Sequence, residues 1–430
     1  MAFVPIYILI LGFTIVIDYF AGILLEEKKG KTRKIYLIAS LCANIGVLAI
    51  FKYYNFFNQN LNDFLGLLDS STPLPTLSIL LPIGLSFHTF QAMSYTIEVY
   101  RGNQKAERSF GIYALYVMFY PQLVAGPIER PQNLLHQFYE KHYYDFERIK
   151  SGMMMIAFGM FKKVVIADRV SIVVDHAFGN INSQNSLTIL VAIILYAIQI
   201  YCDFSGYSEI AVGTAKVMGF TLMDNFNAPY FSQSIAEFWK RWHISLSTWF
   251  KDYLYIPLGG NRVPVRQWFF NLFLVFLISG LWHGANWTFI IWGGLHGVYL
   301  IAGILKEKYF PSFMKKFASF PAATYIRMLV TFALVDFAWI FFRASDFNHA
   351  LQIIKKLFVF SFDGVLNFGL NDNEMIFSFA LIILLFFKEK FFLKIDTSNT
   401  KVFAIVFVAI VFSCYLFGVF GQKQFIYFQF

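Results

Sequence analysis

Charge is scarce in this chain. Asp, Glu, Lys and Arg make up 14% of its 430 residues, while 58% are apolar and Phe alone contributes 54. A soluble domain of this size does not have that composition. Cysteine is scarcer still: Cys42, Cys202 and Cys414 lie far apart in apolar surroundings, which gives no disulfide pattern and no metal-ligand spacing. Cys202 reads as a small buried hydrophobe, not an acyl carrier. The histidines also lack nearby carboxylate or cysteine partners, so no metal is expected. No fixed repeat period and no long Pro/Gly/Ser linker divides the chain, which reads as one membrane domain over residues 1–430. A Gly-x-Ser-x-Gly elbow is missing, and with it a soluble serine-hydrolase unit. The amino terminus has no basic region and no small-residue cleavage site, so its first apolar run reads as a retained helix.

Long apolar runs fill the space that charge leaves. Segments 3–25, 35–57, 187–201, 268–281, 287–305, 322–342, 376–387 and 402–420 are apolar enough for membrane helices. With broken segments at 77–99 and 110–124 and a marginal one at 153–166, about nine to eleven spans are expected. The fold class is therefore an all-α polytopic membrane protein. Lys28, Lys29, Lys31, Arg33 and Lys34 sit between the first two spans, and 58–76 contains no Lys or Arg. That asymmetry puts the first loop in the cytoplasm and Met1 outside. The net charge of +9 is spread over many short loops, a topological signal that excludes nucleic acid as a partner.

Pro82, Gly84, Pro121, Pro127, Pro257-Leu-Gly-Gly260 and Gly280 to Gly284 interrupt the apolar stretches. Backbone freed from helix bonding is tolerated at depth only against protein or a water-filled cavity, so a bundle around a polar tunnel is expected. His88, Gln91, Gln122, Gln199, Asp203, Ser205, Ser208 and Glu209 mark its course. An unpaired carboxylate in hydrocarbon costs several kcal/mol, so Asp203 and Glu209 face partners or water. On a helix Ser205 stacks near Glu209, with Gly206 a candidate break. A satisfied structural network accounts for this cluster equally well.

Two stretches carry candidate chemistry. Over 235–255, Trp239, Trp242, Leu246, Trp249, Phe250 and Tyr253 form one helical stripe beside Lys240, His243, Ser247 and Lys251, with Arg241 on the far side. This pattern predicts an amphipathic helix lying at the membrane interface, with His243 able to face inward. The second stretch holds Trp282-His283-Gly284. A titratable residue at membrane depth is a functional-site hypothesis by default. Glycines permit close backbone approach there, Trp282 and Trp287 supply walls, and Ser279 lies one turn back. His296 is a second histidine at that depth and competes for the role.

The strings Gln122-Leu-Val-Ala-Gly-Pro127, Tyr201-Cys-Asp-Phe-Ser-Gly-Tyr-Ser208, Phe238-Trp-Lys-Arg-Trp-His-Ile-Ser-Leu-Ser247, Asp252-Tyr-Leu-Tyr-Ile-Pro-Leu-Gly-Gly-Asn-Arg262 and Gly280-Leu-Trp-His-Gly-Ala-Asn-Trp287 occur in that order. Together they resemble the membrane-bound O-acyltransferases, in the bacterial branch that contains alginate O-acetyltransferase and is related to the D-alanine transfer protein of teichoic acids. The likeness runs from about Pro82 through the ending Gln424-Phe-Ile-Tyr-Phe, with the motif-bearing core at 82–305. Relative to that branch the amino terminus reads as shortened.

The resemblance implies a ring of helices around a tunnel in a bacterial cytoplasmic (inner) membrane, with His283 as catalytic histidine and His243 as second polar position. It implies no bound cofactor and an acyl thioester, acetyl-CoA, as donor substrate. The acceptor would be an extracytoplasmic glycan, reached with a separate extracytoplasmic acetyltransferase or esterase-like partner. His283 suits a general base, since imidazole titrates near neutral pH. Asn286 and the Trp287 indole N–H are candidate oxyanion donors, Lys240 and Arg241 candidate attractors of an anionic donor, and Asp203, Ser205, Gln122 and Trp282 candidate tunnel residues. A transporter or polysaccharide-export channel would also explain broken helices and buried polar groups. A relative acting on a lipid, a protein or a D-alanyl carrier is the third reading.

Overall fold

A backbone wrapped in apolar side chains has to satisfy its own hydrogen bonds, and the helix is the local way to do so. The computed structural model describes residues 7–66, 75–77, 82, 84–123, 126–359, 367–393, 395–421 and 425. Ile83, Val124, Ala125 and all of the closing string but Phe425 lie outside them. Among the described residues there are helices and turns but no strands. Among the described residues, seven helices are long and apolar enough to cross a membrane: Tyr7–Glu27, Gly30–Gly66, Ser186–Met218, Val265–His283, Trp287–Tyr309, Ala323–Arg343 and Thr400–Phe417. The chain is an all-α, multi-pass membrane protein.

Fewer helices qualify among the described residues than the apolar runs promise, because the remaining candidates are short or polar. Phe110–Met118 has nine residues. Leu85–Arg101 carries buried His88, Gln91 and Glu98. Phe146–Met160 passes into a π-helical turn, Phe161–Ala167, that holds Lys162 and Lys163. Asp372–Phe391 has charged residues at both ends.

The described residues gather into two compact units. The first comprises Met1–Tyr144 and Met218–Met223. Here Tyr7–Glu27 packs on Gly30–Leu48 and Leu85–Arg101, and buried Asp18 accepts hydrogen bonds from Ser40 Oγ at 2.6 Å and Asn44 Nδ2 at 2.8 Å. Those donors replace the water that a carboxylate cannot lose without compensation.

The second unit comprises Asp145–Val217 and Asp224–Phe430 and is organised on the 33-residue helix Ser186–Met218. That helix runs through Gly206 unbroken. A Cβ on Gly206 would stand 2.7 Å from Gly159 O, and one on Gly159 2.6 Å from Gly206 O. Glycine on both sides therefore lets Phe146–Met160 cross backbone to backbone, the close approach that membrane helices use in place of a hydrophobic driving force. Val265–His283 and Trp287–Tyr309 form a tightly packed hairpin, against which Ala323–Arg343 lies. The hairpin turn places His283 at a helix end inside the unit.

Residues 235–255 depart from the single interfacial helix expected of them. They form Ile235–Arg241, Ile244–Phe250 and a π-helical turn, Lys251–Tyr255. The break falls at His243, whose φ of +42° is left-handed, a conformation that costs a non-glycine residue about 1–2 kcal/mol. The aromatic stripe is buried: Trp239, Trp242, Trp249 and Phe250 all pack into the unit. Its amphipathicity faces protein.

Candidate active site

His283 is the last residue of Val265–His283 and is 4% exposed. Its ring meets Trp282 and Trp292 edge-on with centroids 4.9 Å away in each case, and Phe342 at 5.3 Å. Trp292 in turn stacks on Trp339 at 5.7 Å. The tryptophan walls are thus real but differently drawn from the expectation: Trp287 is 54% exposed, and Trp292, one turn and a half further along the same helix, faces the histidine. Asn286 serves the backbone. Its Oδ1 accepts from Thr288 N at 3.0 Å as the helix N-cap, and its Nδ2 donates to Ser345 O at 2.8 Å.

The second histidine is held by a residue that sequence reading passed over. His243 is fully buried, with Nδ1 3.1 Å from Asn225 Oδ1. The same oxygen accepts from Ser245 N at 3.2 Å and Ser245 Oγ at 2.9 Å, while Asn225 Nδ2 donates to Ser208 Oγ at 3.1 Å. A backbone N–H can only donate, so that atom of Asn225 is the carbonyl oxygen and His243 Nδ1 carries a proton. The lone pair of the neutral ring is therefore on Nε2. Burial pushes the His243 pKa down to about 3, because the charged ring would lose its hydration. His243 packs on Phe204 at 4.6 Å and on Trp282 at 6.4 Å, so Trp282 touches both histidines. Asn225 carries no motif of its own, and no local pattern in the sequence marks it as the partner of His243.

Asp203 and Ser205 flank Phe204 and point to a different set of partners. Lys163 Nζ lies 2.7 Å from Asp203 and 2.8 Å from Asp168; Lys162 Nζ lies 2.9 Å from Ser205 Oγ and 2.7 Å from Glu209. Tyr201 donates to Glu389 beside them. The helix Ser186–Met218 thus shows the histidine site Phe204 and Ser208, and shows the lysine pair its carboxylates. Arg241 pairs with Glu237 at 2.7 Å, and Lys240 is exposed. Gln122 belongs to the first unit, where it lines a small cleft with His88 and Gln91. His296, buried in mid-helix, accepts a hydrogen bond at Nδ1 from Trp239 Nε1 at 3.2 Å.

A buried imidazole among aromatic walls, beside a second whose tautomer is fixed, suits proton transfer with water kept out. Among the described residues no three His, Cys, Asp or Glu side chains gather as a metal site.

A model of the membrane-bound O-acyltransferase family matches residues 107–341. The chain is 40% identical over 357 residues to the probable alginate O-acetylase of Pseudomonas aeruginosa, covering 82% of this chain and 66% of that protein. It is 37% identical over 378 residues to the peptidoglycan O-acetyltransferase of Helicobacter pylori, covering 82% and 70%. It is also 28% identical over 283 residues to the teichoic acid D-alanyltransferase of Bacillus subtilis, covering 62% and 70%. The chain spans about two thirds of the length of these curated relatives.

Proposed function

This chain belongs to the membrane-bound O-acyltransferase family, and from that premise we propose that it is an O-acetyltransferase. It moves an acetyl group from a cytoplasmic thioester, acetyl-CoA, to hydroxyls of an extracytoplasmic polysaccharide or cell-wall glycan. The named activities of the alginate and peptidoglycan relatives support that acceptor class. The observation that carries the reading is His283, buried within a tryptophan wall that it shares with His243. His283 acts as general base on the acceptor hydroxyl, a role worth about 10²–10⁴-fold. His243, neutral and with its lone pair on Nε2, accepts a hydrogen bond and orients the hydroxyl. By family resemblance, a separate extracytoplasmic acetyltransferase or esterase-like chain completes delivery, and the site of action is the bacterial cytoplasmic membrane.

The test is the O-acetyl content of surface glycan from cells that carry His283→Ala at wild-type protein level. Loss of O-acetyl groups with glycan export intact is the expected result. Unchanged O-acetylation with reduced export would replace this reading with an export channel.

A further inference from the structure

Acyl transfer needs more than a base. As the acceptor oxygen bonds to the thioester carbon, the carbonyl oxygen takes up negative charge that a dry site has to stabilise with donors. Asn286 spends its amide on Ser345 and its oxygen on Thr288, and Trp287 is largely exposed. The donors lie elsewhere. Trp239 Nε1 is 3.2 Å from His296 Nδ1, and an indole nitrogen is a donor only, so Nδ1 must present its lone pair. The proton of His296 is thereby placed on Nε2. That N–H is fully buried and has no hydrogen-bond partner among the described residues. The Trp292 Nε1–H, one helical turn earlier, is also fully buried and likewise has none.

An orphaned buried donor costs about 1–3 kcal/mol and calls for an explanation. Two of them occur side by side, and their position supplies one: the Trp292 ring centroid is 4.9 Å from that of His283 and 5.0 Å from that of His296. Resting on the acyl-transfer reading above, we propose that His296 is a further catalytic residue, whose Nε2–H, with the Trp292 indole N–H beside it, binds the acyl carbonyl oxygen during transfer at His283. The acceptor oxygen forms its bond to the carbonyl carbon while its proton passes to His283, and the carbonyl π pair moves onto oxygen against these two donors. Collapse restores the C=O bond, breaks C–S, and the departing thiolate takes the proton from His283. Trp239 is the positioning residue that fixes the tautomer.

The experiment uses membrane vesicles bearing the full chain and its acceptor glycan, with acetyl-CoA varied and free thiol release recorded. His296→Phe keeps the ring and loses the donor: kcat is expected to fall about 10²–10³-fold, with KM for acetyl-CoA within about threefold. His296→Gln returns an N–H near the Nε2 position and is expected to stay within about tenfold of wild type, which a purely structural role would not predict. Should His296→Phe fail to accumulate, His296→Gln and Trp292→Phe, the latter expected to lose about tenfold in kcat, carry the test. Wild-type kcat in His296→Phe overturns the proposal, as does equal loss in His296→Phe and His296→Gln at unchanged melting temperature. His283→Ala separates the two levels: if it releases thiol as fast as wild type, the acyl-transfer reading falls and this inference with it. A silent His283→Ala beside an unimpaired His296→Phe overturns the role of His296 alone.

Discussion

Removing the carbonyl of Asn225 should loosen the second histidine. In Asn225→Ala three donors lose their acceptor: His243 Nδ1–H, Ser245 N–H and Ser245 Oγ–H. The serine hydroxyl can rotate to another acceptor, while the ring keeps a 3.5 Å approach to Ser245 Oγ, too long to replace the lost bond, and the backbone donor is fixed. Each left unmade costs about 1–3 kcal/mol, while the backbone beside the left-handed His243 keeps its bond from Ile244 N to Asn225 O at 2.9 Å. The expected destabilisation is about 3–5 kcal/mol, which lowers the melting temperature of the detergent-solubilised protein by roughly 5–10 °C. Asn225→Asp keeps the acceptors and adds a charge that favours protonated His243. It should be less damaging than Asn225→Ala at pH 5, and its deficit should grow towards pH 8 as the ring deprotonates. An Asn225→Ala protein within about 0.5 kcal/mol of wild type, a shift typical of an uninvolved surface site, would refute the reasoning.

The remaining predictions concern charge. The pKa of His243 is about 3 in the folded protein and about 6.5 unfolded, so between those values the unfolded state binds more protons. Its contribution is complete above pH 6.5 and is lost as pH falls, with a slope of up to about 1.4 kcal/mol per pH unit. His243→Asn should therefore melt with a shallower pH dependence than wild type between pH 4 and 6.5, and identical slopes would contradict the assignment. Lys163→Met takes the ammonium from Asp203 and Asp168, which should cost about 3–5 kcal/mol in thermal unfolding. Lys163→Met combined with Asp203→Asn should recover part of that loss, and strictly additive effects would mean that the pair is not coupled.

Much of this molecule was legible before any coordinates. The apolar runs at 3–25, 268–281, 287–305, 322–342 and 402–420 correspond to helices within a few residues, because hydrocarbon leaves the backbone little choice. The turn after His283 was legible from its glycines, whereas Asn286, read as a candidate oxyanion donor, caps the next helix. The break at His243 was not, since the aromatic periodicity continues across it and a left-handed non-glycine residue has no local signature. Lys162 and Lys163 illustrate a second kind of blindness. They sit in a marginally apolar run some forty residues from Asp203 and Glu209, and only the crossing at Gly159 and Gly206 brings them together. The same holds for Trp292 and His296, whose helix faces are decided by a hairpin partner and not by their own period.

The central claim is that His283 activates a hydroxyl towards an acetyl thioester. The most direct measurement is transfer of radiolabelled acetyl from acetyl-CoA into acceptor glycan by the purified protein in liposomes, wild type against His283→Gln. A loss of at least about 10²-fold in rate, at unchanged melting temperature, is the result expected. Equal incorporation by the two proteins would contradict it.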